Sequence, residues 1–193
     1  MARVAPLHGE GRGFESLREH FILHSSTVER SAVNRNVLGS NPSGEVMKLA
    51  TPEQLDEVYG LYRKYSEYFP HVRKTKVEYF INNRRMVYDR GVAISFTLYQ
   101  RKGYLGNCTI PRYDCMLHQI INESQGNGII YEVFSDFART VGKTIWCTVR
   151  TENTRSLKFM DKVGFVEVGD IAWGKTKQIP GVILKRIFKD DLL

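Results

Sequence analysis

Between Asp114 and Val141 the chain leaves little choice of local structure. An apolar, β-prone run, Asp114-Cys115-Met116-Leu117-His118-Gln119-Ile120-Ile121, empties into a polar, glycine-bearing turn, Asn122-Glu123-Ser124-Gln125-Gly126-Asn127-Gly128. After it, Ile129, Ile130, Val133, Phe134, Phe137, Ala138 and Val141 recur at three- and four-residue steps, with Glu132, Asp136 and Arg139 between them. The pattern predicts strand, turn and helix, with one helix face buried. A helix start carries N–H groups without intrahelical partners and a partial positive charge, and Gly126 and Gly128 let a ligand approach the backbone closely. An anion, phosphate above all, fits such a turn. Glycines there also serve geometry alone, so the Gly-x-Gly by itself leaves both readings open.

A second strand-like run, Thr144-Ile145-Trp146-Cys147-Thr148-Val149, precedes Asn153-Thr154-Arg155-Ser156-Leu157-Lys158-Phe159-Met160-Asp161-Lys162-Val163-Gly164-Phe165. In this order and context the two stretches resemble the GNAT superfamily of N-acetyltransferases. The family's cofactor motif is Arg or Gln, two residues, Gly, one residue, then Gly or Ala; Gln125 and Gly128 match it and Ile130 departs from it. Its second motif is an Asn after a strand, a short helix with an aromatic pair, then Gly-Phe, matched by Asn153, Phe159 and Gly164-Phe165. Met160 stands where many members carry a proton-donating tyrosine, and a thioether cannot donate a proton. The resemblance spans about Met47 to Ile187 and implies an α/β (α+β) fold, a mixed, mostly antiparallel central sheet flanked by helices.

The resemblance also implies a chemistry: transfer of an acetyl group from acetyl-CoA to a primary amine of an unknown small molecule or protein, by direct attack in a ternary complex. The pyrophosphate would take N–H groups from Gln125, Gly126, Asn127, Gly128, Ile129 and Ile130. The pantetheine arm would pair with the backbone of Ile120, Ile121 and Asn122. Asn153, Ser156 and Phe159 would flank the cofactor on its other side, with Arg155, Lys158 and Lys162 open to its 3′-phosphate. For the general base, strand alternation places Asp114, Met116, His118 and Ile120 on one face, which makes Asp114 and His118 the candidates. Each also has an ordinary reading, Asp114 capping a loop and His118 as a satisfied sheet histidine. Water can equally carry the proton.

Upstream, Lys48 to Ala50 reads as a strand and Thr51-Pro52-Glu53-Gln54 as a capped helix start, followed by the apolar stripe Leu55, Val58, Tyr59 and Tyr62. A second start, Thr75-Lys76-Val77-Glu78, launches a helix with Val77, Phe80 and Ile81 inward. Between them, Tyr62 to Lys74 interleaves aromatic and basic side chains, which suits an acceptor-site wall, a nucleic-acid patch, or a plain helix end whose tyrosines pack on the core. Met86 to Tyr88 and Val92 to Gln100 form a hairpin about Asp89-Arg90-Gly91, with Val92, Ile94, Phe96 and Leu98 as the buried face. Leu105 to Arg112 reads as irregular; Phe165 to Val168 and Val182 to Leu184 read as two further strands.

The first 46 residues differ from the rest. They hold five arginines, five acids and no lysine, so the formal +7 belongs wholly to residues 47–193. Gly13-Phe14-Glu15-Ser16 and Gly39-Ser40-Asn41-Pro42 can be written as two frames of the nucleotide string GGTTCGAATCC, the usual T-arm of a transfer RNA gene, set about one such gene apart. The expectation is that residues 1–46 translate tandem transfer RNA genes and that 47–193 is one acetyltransferase-like domain; an extension that is disordered or addresses the protein is the alternative. Intact mass of the natively expressed protein separates the two, and a species beginning at Met1 ends the first.

Cys108, Cys115 and Cys147 are scattered and lack metal-type spacing, which fits a reducing compartment and no bound metal. No apolar run approaches a membrane span, so the expectation is a cytoplasmic domain with no membrane partner. Beside the acetyltransferase stand two other classes: a catalytically degenerate acyl-CoA-binding module acting through a partner protein, and a nucleic-acid-associated protein resting on the basic balance.

Overall fold

The computed structural model describes residues 47–123, 128–174 and 179–188. Among the described residues eight strands form: β1 (Met86–Asp89), β2 (Val92–Leu98), β3 (Gly103–Leu105), β4 (Cys108–Ile110), β5 (Cys115–Asn122), β6 (Ile145–Arg150), β7 (Val166–Trp173) and β8 (Ile179–Arg186). Six of them make one sheet in the order β1-β2-β5-β6-β8-β7, and β3 and β4 make a separate hairpin. Every neighbouring pair in the large sheet is antiparallel except β5 and β6. The helices are α1 (Leu55–Lys64), α2 (Lys74–Asn82), α3 (Ile129–Val141) and α4 (Thr154–Lys162). This is the mixed, mostly antiparallel sheet with flanking helices that the motifs imply. No helix among the described residues is long and apolar enough to cross a membrane.

Strand alternation sorts the side chains into separate cores. Val87, Val92, Ile94, Phe96, Cys115, Leu117, Ile145 and Cys147 point to one face, where Val133, Phe134, Phe137 and Val141 of α3 and Met160 of α4 cover them. Met86, Tyr88, Ala93 and Ile121 point to the other face and meet Val58, Leu61 and Tyr62 of α1 and Val77, Phe80 and Ile81 of α2. Farther along that second face, Met116, Trp146 and Ile183 pack with Ile110 of β4. Helices therefore cover one end of the second face, and the β3–β4 hairpin covers the other.

Several local expectations need correcting. Most of Leu105 to Arg112, read as irregular, belongs to the β3–β4 hairpin: strands of three residues show too little alternation, and Gly106, at φ 55°, makes the turn rather than a break. Thr75 does not cap α2, which starts one residue earlier with Arg73 in extended backbone before it. Thr51 does open the first helical segment, its N–H donating to Gln54 Oε1 at 3.0 Å ahead of a 3-10 turn, Pro52–Gln54. The β1–β2 connection is a two-residue turn with both Arg90 and Gly91 left-handed, at φ 50° and 75°. Arg90 tolerates that backbone while its guanidinium holds Asp89 at 3.1 Å and Glu132 of α3 at 2.6 Å.

The largest correction concerns β5. Its register against β2 runs Ile120 to Ile94 and Gln119 to Ser95, then jumps to Leu117 opposite Phe96, which leaves His118 as an extra residue, a β-bulge. Alternation reverses across it. Cys115 and Leu117 lie with the α3 core and so does Ile120, while Gln119 and Ile121 face α1 and α2. Asp114, Met116, His118 and Ile120 therefore do not share a face. Gln119 secures the reversal, its Oε1 accepting the Tyr62 hydroxyl at 3.0 Å and the Ser95 hydroxyl at 3.1 Å. Burial pushes the Tyr62 pKa up to about 12, so that hydroxyl keeps its proton.

Candidate functional site

Two features of the sheet meet at the end of β5. The first is a parting of strands: β6 pairs with β5 only at Cys115 to Ile145 and Met116 to Trp146, then continues along β8 as far as Arg150 opposite Gly181. Among the described residues the ladder between β5 and β6 goes no farther, so a wedge opens along Leu117 to Ile121 on one side and Cys147 to Val149 on the other. Backbone N–H and C=O groups in such a wedge can receive an extended, amide-bearing chain as a strand would.

The second feature is the start of α3. Gly128 precedes it in left-handed backbone, φ 74° and ψ −13°, and a Cβ there would meet nothing within 4 Å. The conformation of this exposed residue favours glycine, and the position opens onto free space. Gln125, Gly126 and Asn127, assigned to the same turn, lie outside the described residues. Ile129 and Ile130 are half-buried and pack against the α3 core, so Ile130 turns its side chain inward and offers the turn only its backbone. Ile120 packs on that core too, Ile121 is buried on the opposite face, and Asn122 pairs with Val92 at the end of β5.

Across the wedge, Asn153 caps α4, its Oδ1 accepting the Ser156 N–H at 3.1 Å. Phe159 joins the two helices, its ring 5.7 Å from Phe134 edge-on and 5.3 Å from Tyr131. Met160 is buried, with Sδ 3.9 Å from Cys147 Sγ, and so belongs to the core. Burial raises the Cys147 and Cys115 thiols well above the usual range, which keeps both protonated and poor nucleophiles. Arg155, Lys158 and Lys162 lie exposed on α4.

The two candidate bases differ sharply. Asp114 Oδ2 accepts the indole N–H of the buried Trp146 at 2.8 Å, and Lys185 sits over that indole at 5.0 Å, so the carboxylate braces the hairpin end of the sheet. His118 sits on the bulge. Its Nε2 lies 2.8 Å from Thr97 Oγ1, and its ring is 5.5 Å from that of Phe80 on α2. The side chain is exposed to solvent. Desolvation by the surrounding chain, reinforced by the Lys76 and Arg85 charges, lowers its pKa to about 4, so the imidazole is neutral at neutral pH. Thr97, Phe80, Lys76 and Arg85 are not legible as site residues in the sequence, because three separate segments bring them together.

The tyrosines of the aromatic and basic segment mostly pack inward. Tyr62 is buried edge-on to Phe69 at 5.6 Å, and the Tyr65 hydroxyl donates to the Glu123 carbonyl at 3.3 Å. Tyr68 stays exposed. Among the described residues no group of three or more His, Cys, Asp or Glu side chains is placed to hold a metal ion.

Compared with solved structures, the chain is similar to an acetyltransferase of the GNAT family from Streptococcus pneumoniae, at 16% identity and TM-score 0.55, covering 74% of this chain and 98% of that one. It is similar to Ard1 from Thermoplasma volcanium at 12% identity and TM-score 0.56, covering 74% and 96%. Naa20 from Chaetomium thermophilum, solved with a bisubstrate analogue, aligns at 12% identity and TM-score 0.53, covering 77% and 89%. The chain has the GNAT acetyltransferase fold. No protein-family model matches it, and no curated protein does.

Proposed function

We propose that the protein is an acetyl-CoA-dependent N-acetyltransferase that acetylates a primary amine by direct attack in a ternary complex. The observation that carries this reading is the wedge between β5 and β6 leading to the Gly128 helix start, a slot for an extended amide chain that ends on an anion-binding terminus. Bound there, the donor supplies an activated thioester. N–H groups of Gly128, Ile129 and Ile130, with Gln125, Gly126 and Asn127, hold the pyrophosphate; the β5 backbone through Ile120, Ile121 and Asn122 orients the arm; Asn153, Ser156 and Phe159 wall the far side. A backbone N–H of β5 near the bulge is the candidate oxyanion donor.

Of Asp114 and His118, His118 is the better placed to accept the amine proton, since Asp114 is engaged by Trp146. A base with a pKa of about 4 is already deprotonated throughout the neutral range. In the free enzyme kcat/KM is therefore expected to rise with pH only as the acceptor's ammonium loses its proton, with no step between pH 5 and 7. His118→Asn is expected to lower kcat by about 100-fold; an unchanged rate and pH profile would remove His118 as the base. Isothermal titration of acetyl-CoA into the full-length protein, followed by an amine panel, tests the proposal as a whole. Micromolar binding with turnover supports it, and absence of binding by folded protein overturns it.

One observation favours a second reading. Met160 is locked in the core beside Cys147 where the resemblance calls for a proton donor, which suits a module that binds acyl-CoA and acts through a protein or nucleic-acid partner. Tight binding without turnover on any amine would select it.

A further inference from the structure

We infer that the base of the β3–β4 hairpin binds single-stranded nucleic acid, whose phosphates meet Arg101, Lys102 and Arg112 and whose bases stack on Tyr104 and Tyr113. The inference stands apart from the acetyltransferase reading, since these residues line neither side of the wedge. The stretch from Tyr99 to Tyr113 holds three cations and no acid. Backbone pairing gathers the cations. At one end the Tyr99 N–H donates to the Asp114 carbonyl at 3.0 Å and the Tyr113 N–H to the Tyr99 carbonyl at 2.7 Å; at the other, Gly103 pairs with Ile110. Arg101 and Lys102 on one run and Arg112 on the other are confined between those two pairings.

Packing decides which rings stay free. Tyr99 lies against Gly103, where a Cβ would come within 2.2 Å of its ring, and it packs with Leu105, Cys108 and Ile110 on the sheet. Tyr104, opposite Thr109, is 67% exposed. Tyr113 is exposed too and sits in left-handed backbone, φ 74°, which a bulky residue adopts only when its surroundings hold it there. Its bond to the Tyr99 carbonyl is that hold. Each free ring carries its own cation: Lys102 Nζ lies 5.5 Å from the Tyr104 centroid, and the Arg112 guanidinium 4.4 Å from that of Tyr113.

Among the described residues Arg101, Lys102 and Arg112 form no ion pair. Of the acids nearby, Asp114 accepts the Trp146 indole N–H, and Asp170 of β7 meets the hairpin at the far end, where a Cβ on Gly106 would lie 3.0 Å from its carbonyl oxygen. Cations alone would suit any polyanion; the rings discriminate among them. The face of a tyrosine ring is electron-rich, so it stacks on a base and repels a carboxylate. A ring with a cation beside it therefore fits a nucleotide, base on the ring and phosphate on the cation. An acidic peptide gains no contact from Tyr104 or Tyr113.

The test is fluorescence anisotropy of a short labelled oligouridine with the full-length protein. Oligothymidine should bind about as well, because neither contact uses the sugar, and duplex RNA distinctly less, because its bases are already stacked. Tyr104→Ala should weaken binding about tenfold and Tyr104→Phe hardly at all. The exposure of Tyr104 makes loss of folding an unsuitable explanation for that difference. Arg101→Gln/Lys102→Gln/Arg112→Gln should flatten the slope of log Kd against log salt by about 2, the share of three phosphate contacts on a single strand. Absence of binding at low salt, binding indifferent to these variants, or duplex bound as tightly as single strand overturns the inference. Polyglutamate competing as well as RNA also overturns it and marks the patch as a surface for acidic proteins.

Discussion

Gly128→Asp is expected to lower acetyl-CoA affinity by more than about 100-fold in a protein that remains folded. The two halves of that expectation have separate causes. Asp is among the few residues that tolerate left-handed backbone, a Cβ at position 128 meets nothing within 4 Å, and a carboxylate at a helix start is favourable in itself. The fold should therefore lose at most about 1 kcal/mol. The same carboxylate occupies the space proposed for the pyrophosphate and repels it. Gly128→Asn, with matching shape and no charge, should lose distinctly less affinity. Calorimetry on the three proteins checks this; equal binding by wild type and Gly128→Asp would move the anion away from α3.

Phe137→Ala should carry the largest cost to stability, about 3–5 kcal/mol in chemical denaturation. Phe137 has no exposed surface, lies edge-on to Phe96 of β2 at 5.2 Å, and is 5.9 Å from Phe134 in its own helix. Phe134 also meets Phe159 and Phe165, so the aromatic cluster links the sheet to both helices that border the wedge. A cavity at Phe137 cannot collapse without drawing α3 off β2. Since domains are stable by roughly 5–15 kcal/mol, the variant should be marginal. A loss under about 1 kcal/mol would mean α3 is not anchored through this ring.

How far the sequence discloses this molecule depends on the length of each pattern. The α3 stripe runs through thirteen residues, and the helix occupies Ile129–Val141 as the stripe predicts. The hairpin turn at Arg90-Gly91 and the start at Thr51 are legible because turn and cap chemistry is local. Strands β3 and β4 are not, since three residues cannot show a period. At Thr75 the capping motif is present but unused, since α2 starts at Lys74 and the cap position falls two residues back, on Arg73. For the site, residue type alone picks out Asp114 and His118, but their different surroundings are set by Trp146 on one side and by Thr97 and Phe80 on the other. Such partners come from distant segments and leave no trace in spacing.

The extra residue in β5 adds a side chain without disturbing the pattern on either side of it. Leu117 faces the α3 core and Gln119 the α1 and α2 side, so a strand lacking position 118 would alternate simply, with Gln119 still accepting the Tyr62 and Ser95 hydroxyls. The bulge is thus a place where the chain can gain or lose one group while the sheet around it keeps its register.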